Sequence, residues 1–222
     1  MASESKSFTE DSGVVPVRGW LHEPQDPNGD VLVFTHGAGG NSDSALLKAL
    51  GAACAESGYL FLRCDLPFRQ MRPTGPPRPG DAARDREGLQ RAAEVMRQRT
   101  RGRVFLGGQS YGGRQATMLA ADNPGLASGL LLTSYPLHPP GKPEQLRTQH
   151  FSRLRTPALF VEGSRDAFAT FTEMESALKL IPARTSMLRV EGAGHDLAGR
   201  KAAAAEQLAR TIVAAFQEFF AA

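Results

Sequence analysis

The chain is short of the residues that cross-link a protein, hold metals or span a bilayer. It has 2 cysteines and 5 histidines in 222 residues. Cys54 falls in a helix-like segment and Cys64 in a strand-like one, neither at metal-ligand spacing from a histidine, so buried free thiols are expected. No apolar run approaches the roughly 18 residues of a membrane helix, so no membrane contact is expected. The opening MASESKSFTEDSG lacks an apolar signal core; residues 1–13 are expected as a flexible tail and the protein as cytoplasmic. An excess of one charge is missing too, since the net formal charge is only +3. The 21 arginines and 5 lysines alternate with acids, as in DAARDREGLQRAAEVMRQRTRGR, which reads as a solvated helix face. Nucleic acid needs a clustered basic stripe, so no nucleic-acid partner is expected. The glycines of THGAGG lack the Lys-Ser/Thr of a phosphate-binding loop. Neither a cofactor nor a metal is therefore expected.

What is present is an ordinary globular composition, 41% hydrophobic and 22% charged. The length suits one domain, taken as residues 14–222. Six near-continuously apolar runs, VLVFTHG, YLFLRCD, RVFLGGQ, LLLTSYP, PALFVEG and SMLRVEG, read as strands buried on both faces. VPVRGWLHEP alternates and reads as part of an antiparallel edge hairpin. Segments of helical period lie between them, over 43–57, 81–100, 111–123, 170–181 and 200–220. Alternation of this kind predicts an α/β fold, a mostly parallel sheet of about seven strands with helices on both faces. The proline-rich stretches 66–80 and 135–147 read as loops on the edge where such sheets bind ligands.

VFLGGQSYGG sets Ser110 between glycines where a strand gives way to a helix. With 23 Gly and 14 Ser, chance alone supplies a Gly-x-Ser-x-Gly about 0.15 times, so the pentapeptide needs its context, a strand before it and a helix after. Both are there. Serine also needs a base, and a base needs an acid to orient it. His195 lies in VEGAGHDLAG, after the last strand, and Asp166 in FVEGSRDAF, just past the strand before it. The chain order Ser110, Asp166, His195 is that of a nucleophile-elbow hydrolase. Asp196 is the competing acid, disfavoured because adjacent side chains seldom aim at each other. Glu162 lies inside its strand, and His138 reads as a loop or pocket residue. Oxyanion donors are expected from the backbone N–H of Tyr111 and that of Ala38, with Gly39 as second choice for the latter. His36 reads as a structural hydrogen-bonder.

Through FTHGAGG, GGQSYGGRQATMLA, YPLHPPGKPEQLRTQH, VEGSRDAF and GAGHDL the chain resembles the dienelactone-hydrolase-like branch of the α/β-hydrolase superfamily. It is most similar to the predicted hydrolases related to the hydrolase-like subunit of the NSL histone acetyltransferase complex. These motifs span most of residues 31–196. The resemblance implies the α/β-hydrolase fold and a triad at Ser110, Asp166 and His195, but no substrate. Dienelactone hydrolases proper use a cysteine nucleophile, where this chain has serine.

The expected function is hydrolysis of a small ester-like substrate, a carboxylic ester or thioester. The alternative is a hydrolase-fold protein-interaction module without significant activity. About twenty residues separate LLLTSYP from PALFVEG, too few for a large cap domain. An open cleft is expected, lined by Phe68, Arg69 and Arg72 from one loop and Tyr135, His138 and Arg147 from another. Arginines there would suit an anionic substrate. A monomer or homodimer is expected.

Overall fold

The computed structural model describes residues 5–198 and 202–221. Each apolar run becomes a strand: β3 (Val31–Thr35), β4 (Leu60–Cys64), β5 (Val104–Gln109), β6 (Gly129–Thr133), β7 (Ala158–Gly163) and β8 (Thr185–Val190). All six are parallel. Every residue of β3, β6 and β7 is buried, which is why polar residues are so scarce there. β1 (Ser5–Glu10) and β2 (Val17–His22) join antiparallel, giving eight strands in the order β1-β2-β4-β3-β5-β6-β7-β8.

Helices cover both faces, as parallel crossovers require. On one face α1 (Ala45–Glu56) and α6 (Ala202–Ala221) bring Leu46, Leu50, Ile212 and Phe216 onto Phe34 and Phe105. On the other, α3 (Asp81–Arg97), α4 (Tyr111–Asp122) and α5 (Phe171–Leu178) bring Leu89, Met96, Leu119 and Met174 onto Val33, Leu106, Leu132 and Phe160. Between β6 and β7 only a single 3-10 turn forms, Phe151–Arg153, so no cap domain stands over the sheet. Cys54 and Cys64 are free and buried; burial raises both thiol pKa values, that of Cys64 to about 12.

Three stretches depart from the sequence reading. β8, expected to be buried on both faces, is the far edge strand of the sheet and has no buried residue, since among the described residues only β7 pairs with it. Residues 5–10, expected within a frayed tail, form β1 and take the sheet edge that β2 was expected to hold. Only Phe8 in β1 is buried, with the Arg99 guanidinium over its ring. One apolar anchor in six residues leaves no alternation to detect, and backbone pairing does the rest. Residues 1–4 of that expected tail lie outside the described residues. Within the proline-rich stretch 66–80, Pro67–Met71 form α2, with proline at the helix start, where its missing N–H is not needed.

Parallel strands discharge their chain at one edge. There Thr35 lies beside Gly108, Gln109 beside Thr133, and Gly163 beside Val190. The loops after β3, β5, β7 and β8 therefore converge, although they lie far apart in sequence.

Candidate active site

Ser110 sits on the turn from β5 into α4 with φ 50° and ψ −113°, a region that a residue with a side chain seldom enters. Such a conformation typically costs about 1–3 kcal/mol and persists only where the surroundings enforce it. Two hydrogen bonds do so: Ser110 N–H donates to the Thr133 carbonyl at 2.9 Å, and Arg114 N–H to the Ser110 carbonyl at 2.9 Å. The flanking glycines make room. A Cβ on Gly108 would lie 2.6 Å from the Gly112 carbonyl carbon, and one on Gly112 would lie 2.5 Å from the His36 carbonyl oxygen. Strand, turn and helix meet this closely only without those carbons.

The three residues far apart in sequence meet at hydrogen-bond distance. His195 Nδ1 lies 2.7 Å from Asp166 Oδ2, and its Nε2 lies 2.8 Å from Ser110 Oγ. With the carboxylate taking the Nδ1 proton, Nε2 keeps a lone pair and can accept from the serine hydroxyl. Asp166 is held in turn, its Oδ1 accepting the Phe168 N–H at 2.8 Å. The Phe168 ring stacks on the His195 imidazole, centroids 4.1 Å apart and planes 27° apart. Asp196, the competing acid, lines the cleft wall, while Asp166 makes the bond to the imidazole.

Gly37, Ala38, Gly39 and Gly40 line the cleft beside Ser110 and Tyr111. A turn closed by Gly40 N–H on the Gly37 carbonyl, 3.1 Å, shapes this loop. No hydrogen bond among the described residues uses the N–H of Ala38 or of Tyr111. His36 anchors the loop from beneath. It is fully buried, its Nε2 accepts the Leu66 N–H at 3.1 Å, and its Nδ1 faces the Gly37 carbonyl at 2.8 Å. Burial lowers its pKa, which keeps the ring neutral, as this donor–acceptor pattern needs. Tyr111 is braced through its hydroxyl, which donates to Asp85 Oδ2 at 2.7 Å, while Asp85 Oδ1 accepts the Phe68 N–H at 3.0 Å.

A family model described as an alpha/beta hydrolase domain matches residues 28–221. The chain belongs to the alpha/beta hydrolase domain family. Solved structures share its fold. One is an alpha-beta serine hydrolase homologue from Coxiella burnetii, 18% identical, with 95% of this chain and 96% of that one covered and a TM-score of 0.76. A dienelactone hydrolase from Anabaena variabilis is also 18% identical, covered 97% and 98%, with a TM-score of 0.76. A serine hydrolase without a lid from Xanthomonas campestris is 18% identical, covered 97% and 96%, with a TM-score of 0.69.

The cleft in this hydrolase domain has a volume of about 650 Å³. Of the residues expected to line it, Arg147 does, together with Arg114, Pro136 and Phe168. Phe68, Arg69, Tyr135 and His138 are buried behind it instead. Phe68 packs edge-on against His36 and Tyr111. Tyr135 sits among Phe151 and Phe160 and donates to the Arg147 carbonyl at 3.0 Å. His138 faces Glu173 at 3.4 Å. Arg69 donates to the carbonyls of Gly40, Ala38, Arg72 and Gly75, so it ties the glycine loop to α2. Arg72 pairs with Asp81. Sequence reasoning placed these residues in the segments that follow β4 and β6 without seeing which way they turn, and it read Phe68 and Arg69 as loop residues where they belong to α2. It missed Phe168 and Arg114, although Phe168 stands two residues after Asp166 and Arg114 one helical turn after Ser110.

Beneath the acid of this hydrolase-fold site, Glu162 is fully buried in β7. Its Oε1 accepts the Tyr135 N–H at 2.8 Å, and its Oε2 has no partner among the described residues. Burial, reinforced by the Asp166 charge, raises its pKa well above the ordinary carboxylate value. A group whose folded pKa is raised favours the fold below its unfolded pKa, and that contribution is lost as pH climbs toward the folded value. Glu162→Gln keeps the acceptor for Tyr135 and removes the titration. Its stability relative to wild type should therefore rise with pH above about 4.5, by at most about 1.4 kcal/mol for each pH unit. Denaturant unfolding of both proteins at several pH values checks this. A pH-independent difference between them would contradict the assignment.

Proposed function

We propose that this chain is a serine hydrolase that cleaves small carboxylic esters or thioesters through an acyl-enzyme on Ser110. The observation that carries the reading is the continuous hydrogen-bonded line Asp166–His195–Ser110 at the floor of an open cleft. His195 Nε2 takes the hydroxyl proton as Ser110 Oγ bonds to the substrate carbonyl carbon. The tetrahedral oxyanion is held by the free N–H groups of Ala38 and Tyr111. As the intermediate collapses, the bond to the alcohol or thiol breaks and His195 returns its proton to that leaving group. Water then attacks the acyl carbon, gives a proton to His195, and releases a carboxylic acid and free Ser110. Asp166 holds the imidazole in the required tautomer and stabilises its cation. The strained Ser110 backbone presents Oγ to the cleft without a cap to cross.

The motifs FTHGAGG, YPLHPPGKPEQLRTQH and VEGSRDAF support placing the chain beside the predicted hydrolases related to the NSL complex subunit. Among the described residues no helix is long and apolar enough to cross a membrane. A cytoplasmic enzyme acting as monomer or homodimer on a small molecule is part of the same proposal. So is catalysis by side chains and backbone alone, without a cofactor or metal.

A fluorophosphonate probe tests the reading. Wild type should be labelled, while Ser110→Ala and His195→Ala should be unlabelled though folded. Folded wild type that neither labels nor hydrolyses a small uncharged ester series would instead favour an interaction module on this fold.

A further inference from the structure

Arg114 and Arg147 both line the cleft that holds Ser110 and His195. Each is half-buried, so neither belongs to a freely solvated surface. No hydrogen bond or ion pair among the described residues engages the Arg114 guanidinium, and its Nε is buried without a partner. Arg147 has one side of its guanidinium occupied, donating to the Pro136 carbonyl at 3.1 Å, and makes no ion pair among the described residues. Burial and the neighbouring Arg114 charge both lower the Arg147 pKa, so the two cations lie close enough to repel. Their arrangement contrasts with Arg69 and Arg72, whose donors are taken by carbonyls and by Asp81.

Two like charges held partly out of water with no counterion are unfavourable until an anion arrives. We propose that Arg114 and Arg147 form the acid-recognition end of the cleft, selecting esters or thioesters whose acyl chain ends in a carboxylate. This rests on the hydrolase reading of Ser110. Arg114 lies one helical turn beyond Ser110 on α4, a rise of about 6 Å, so the carboxylate sits a short aliphatic chain away from the scissile carbonyl. The planar forks of arginine suit a carboxylate. Asp196 on the same cleft wall counts against a group with two negative charges, such as a phosphate monoester. The apolar part of the chain would run over Pro136 and Phe168.

The test compares 4-nitrophenyl hydrogen adipate with 4-nitrophenyl hexanoate, alike in length and different in charge. Wild type should favour the charged ester by at least about tenfold in kcat/KM, mostly through KM, and lose that preference as salt rises. In Arg114→Gln and in Arg147→Gln the charged-to-neutral ratio should fall by about 10- to 100-fold. A ratio unchanged from wild type in both variants overturns the subsite and leaves the hydrolase reading intact. If neither ester is turned over in a manner sensitive to Ser110→Ala, the hydrolase reading has failed. The subsite is then decided by calorimetry with free adipate. Binding by wild type that disappears in Arg114→Gln upholds it, and no binding or equal binding overturns it.

Discussion

Asp166→Asn should lower ester turnover by about 10,000-fold in a protein that still folds. The reason lies in a bond on the far side of the carboxylate. Asp166 Oδ1 accepts the Phe168 N–H, a backbone donor that an asparagine must satisfy with its amide oxygen. That choice turns the amide NH2 toward His195 Nδ1, which must then act as acceptor. The imidazole proton moves to Nε2, the atom facing Ser110 Oγ, and a protonated Nε2 cannot take the hydroxyl proton. The asparagine variant should therefore be at least as impaired as Asp166→Ala, in which the imidazole retains a choice of tautomer. Single-turnover kinetics on both variants checks this ordering. An asparagine variant far more active than the alanine one would place the proton elsewhere.

Arg69→Met should lower stability by on the order of 3 kcal/mol and turnover by about 100-fold, for charged and neutral esters alike. Arg69 is buried, and its guanidinium joins the carbonyls of Ala38 and Gly40 to those of Arg72 and Gly75. Without it these carbonyls lose a charged donor, and the glycine loop loses the tie that sets its distance from Ser110. The Ala38 N–H would then miss the position of the oxyanion, where small displacements carry large rate effects. Arg69→Lys should recover little, since an ammonium cannot span a fork of carbonyls. Denaturant unfolding gives the first quantity, and turnover per fluorophosphonate-labelled site gives the second. A loss confined to the charged ester would return Arg69 to the substrate role that the sequence suggested.

Much of this molecule was legible from residue order. β3 through β7 are covered on both faces, and double burial writes itself as an unbroken apolar run, as in Ala158–Gly163. The helices announce themselves by the period of Leu46 and Leu50 or Ile212 and Phe216, because each must bury one stripe on the sheet. β1 stayed hidden because a solvated edge strand needs no such pattern, only Phe8 and a neighbour to pair with. α2 stayed hidden because proline marks a helix start as readily as a loop.

The candidate site divides in the same way. Ser110, Asp166 and His195 could be chosen from sequence because strand ends in a parallel sheet discharge at one edge, so their order along the chain maps onto a common place. Direction could not be read. Whether an arginine on a strand-end loop faces the cleft or the protein interior depends on which carbonyls and acids wait on each side, and those come from distant segments. Arg69 turned inward because the carbonyls of 38, 40 and 75 converge on it, and Arg72 met Asp81. Among the described residues Arg114 and Arg147 pair with no acid, and they line the cleft. Residue order by itself determined the six parallel strands, the longer helices that cover them and the three candidate residues at the sheet's edge, because burial and crossover impose local patterns. The tertiary structure alone decided which acid meets the imidazole, what braces the glycine loop beside Ser110 and which arginines line the cleft, because hydrogen bonds between segments remote in sequence set where side chains point.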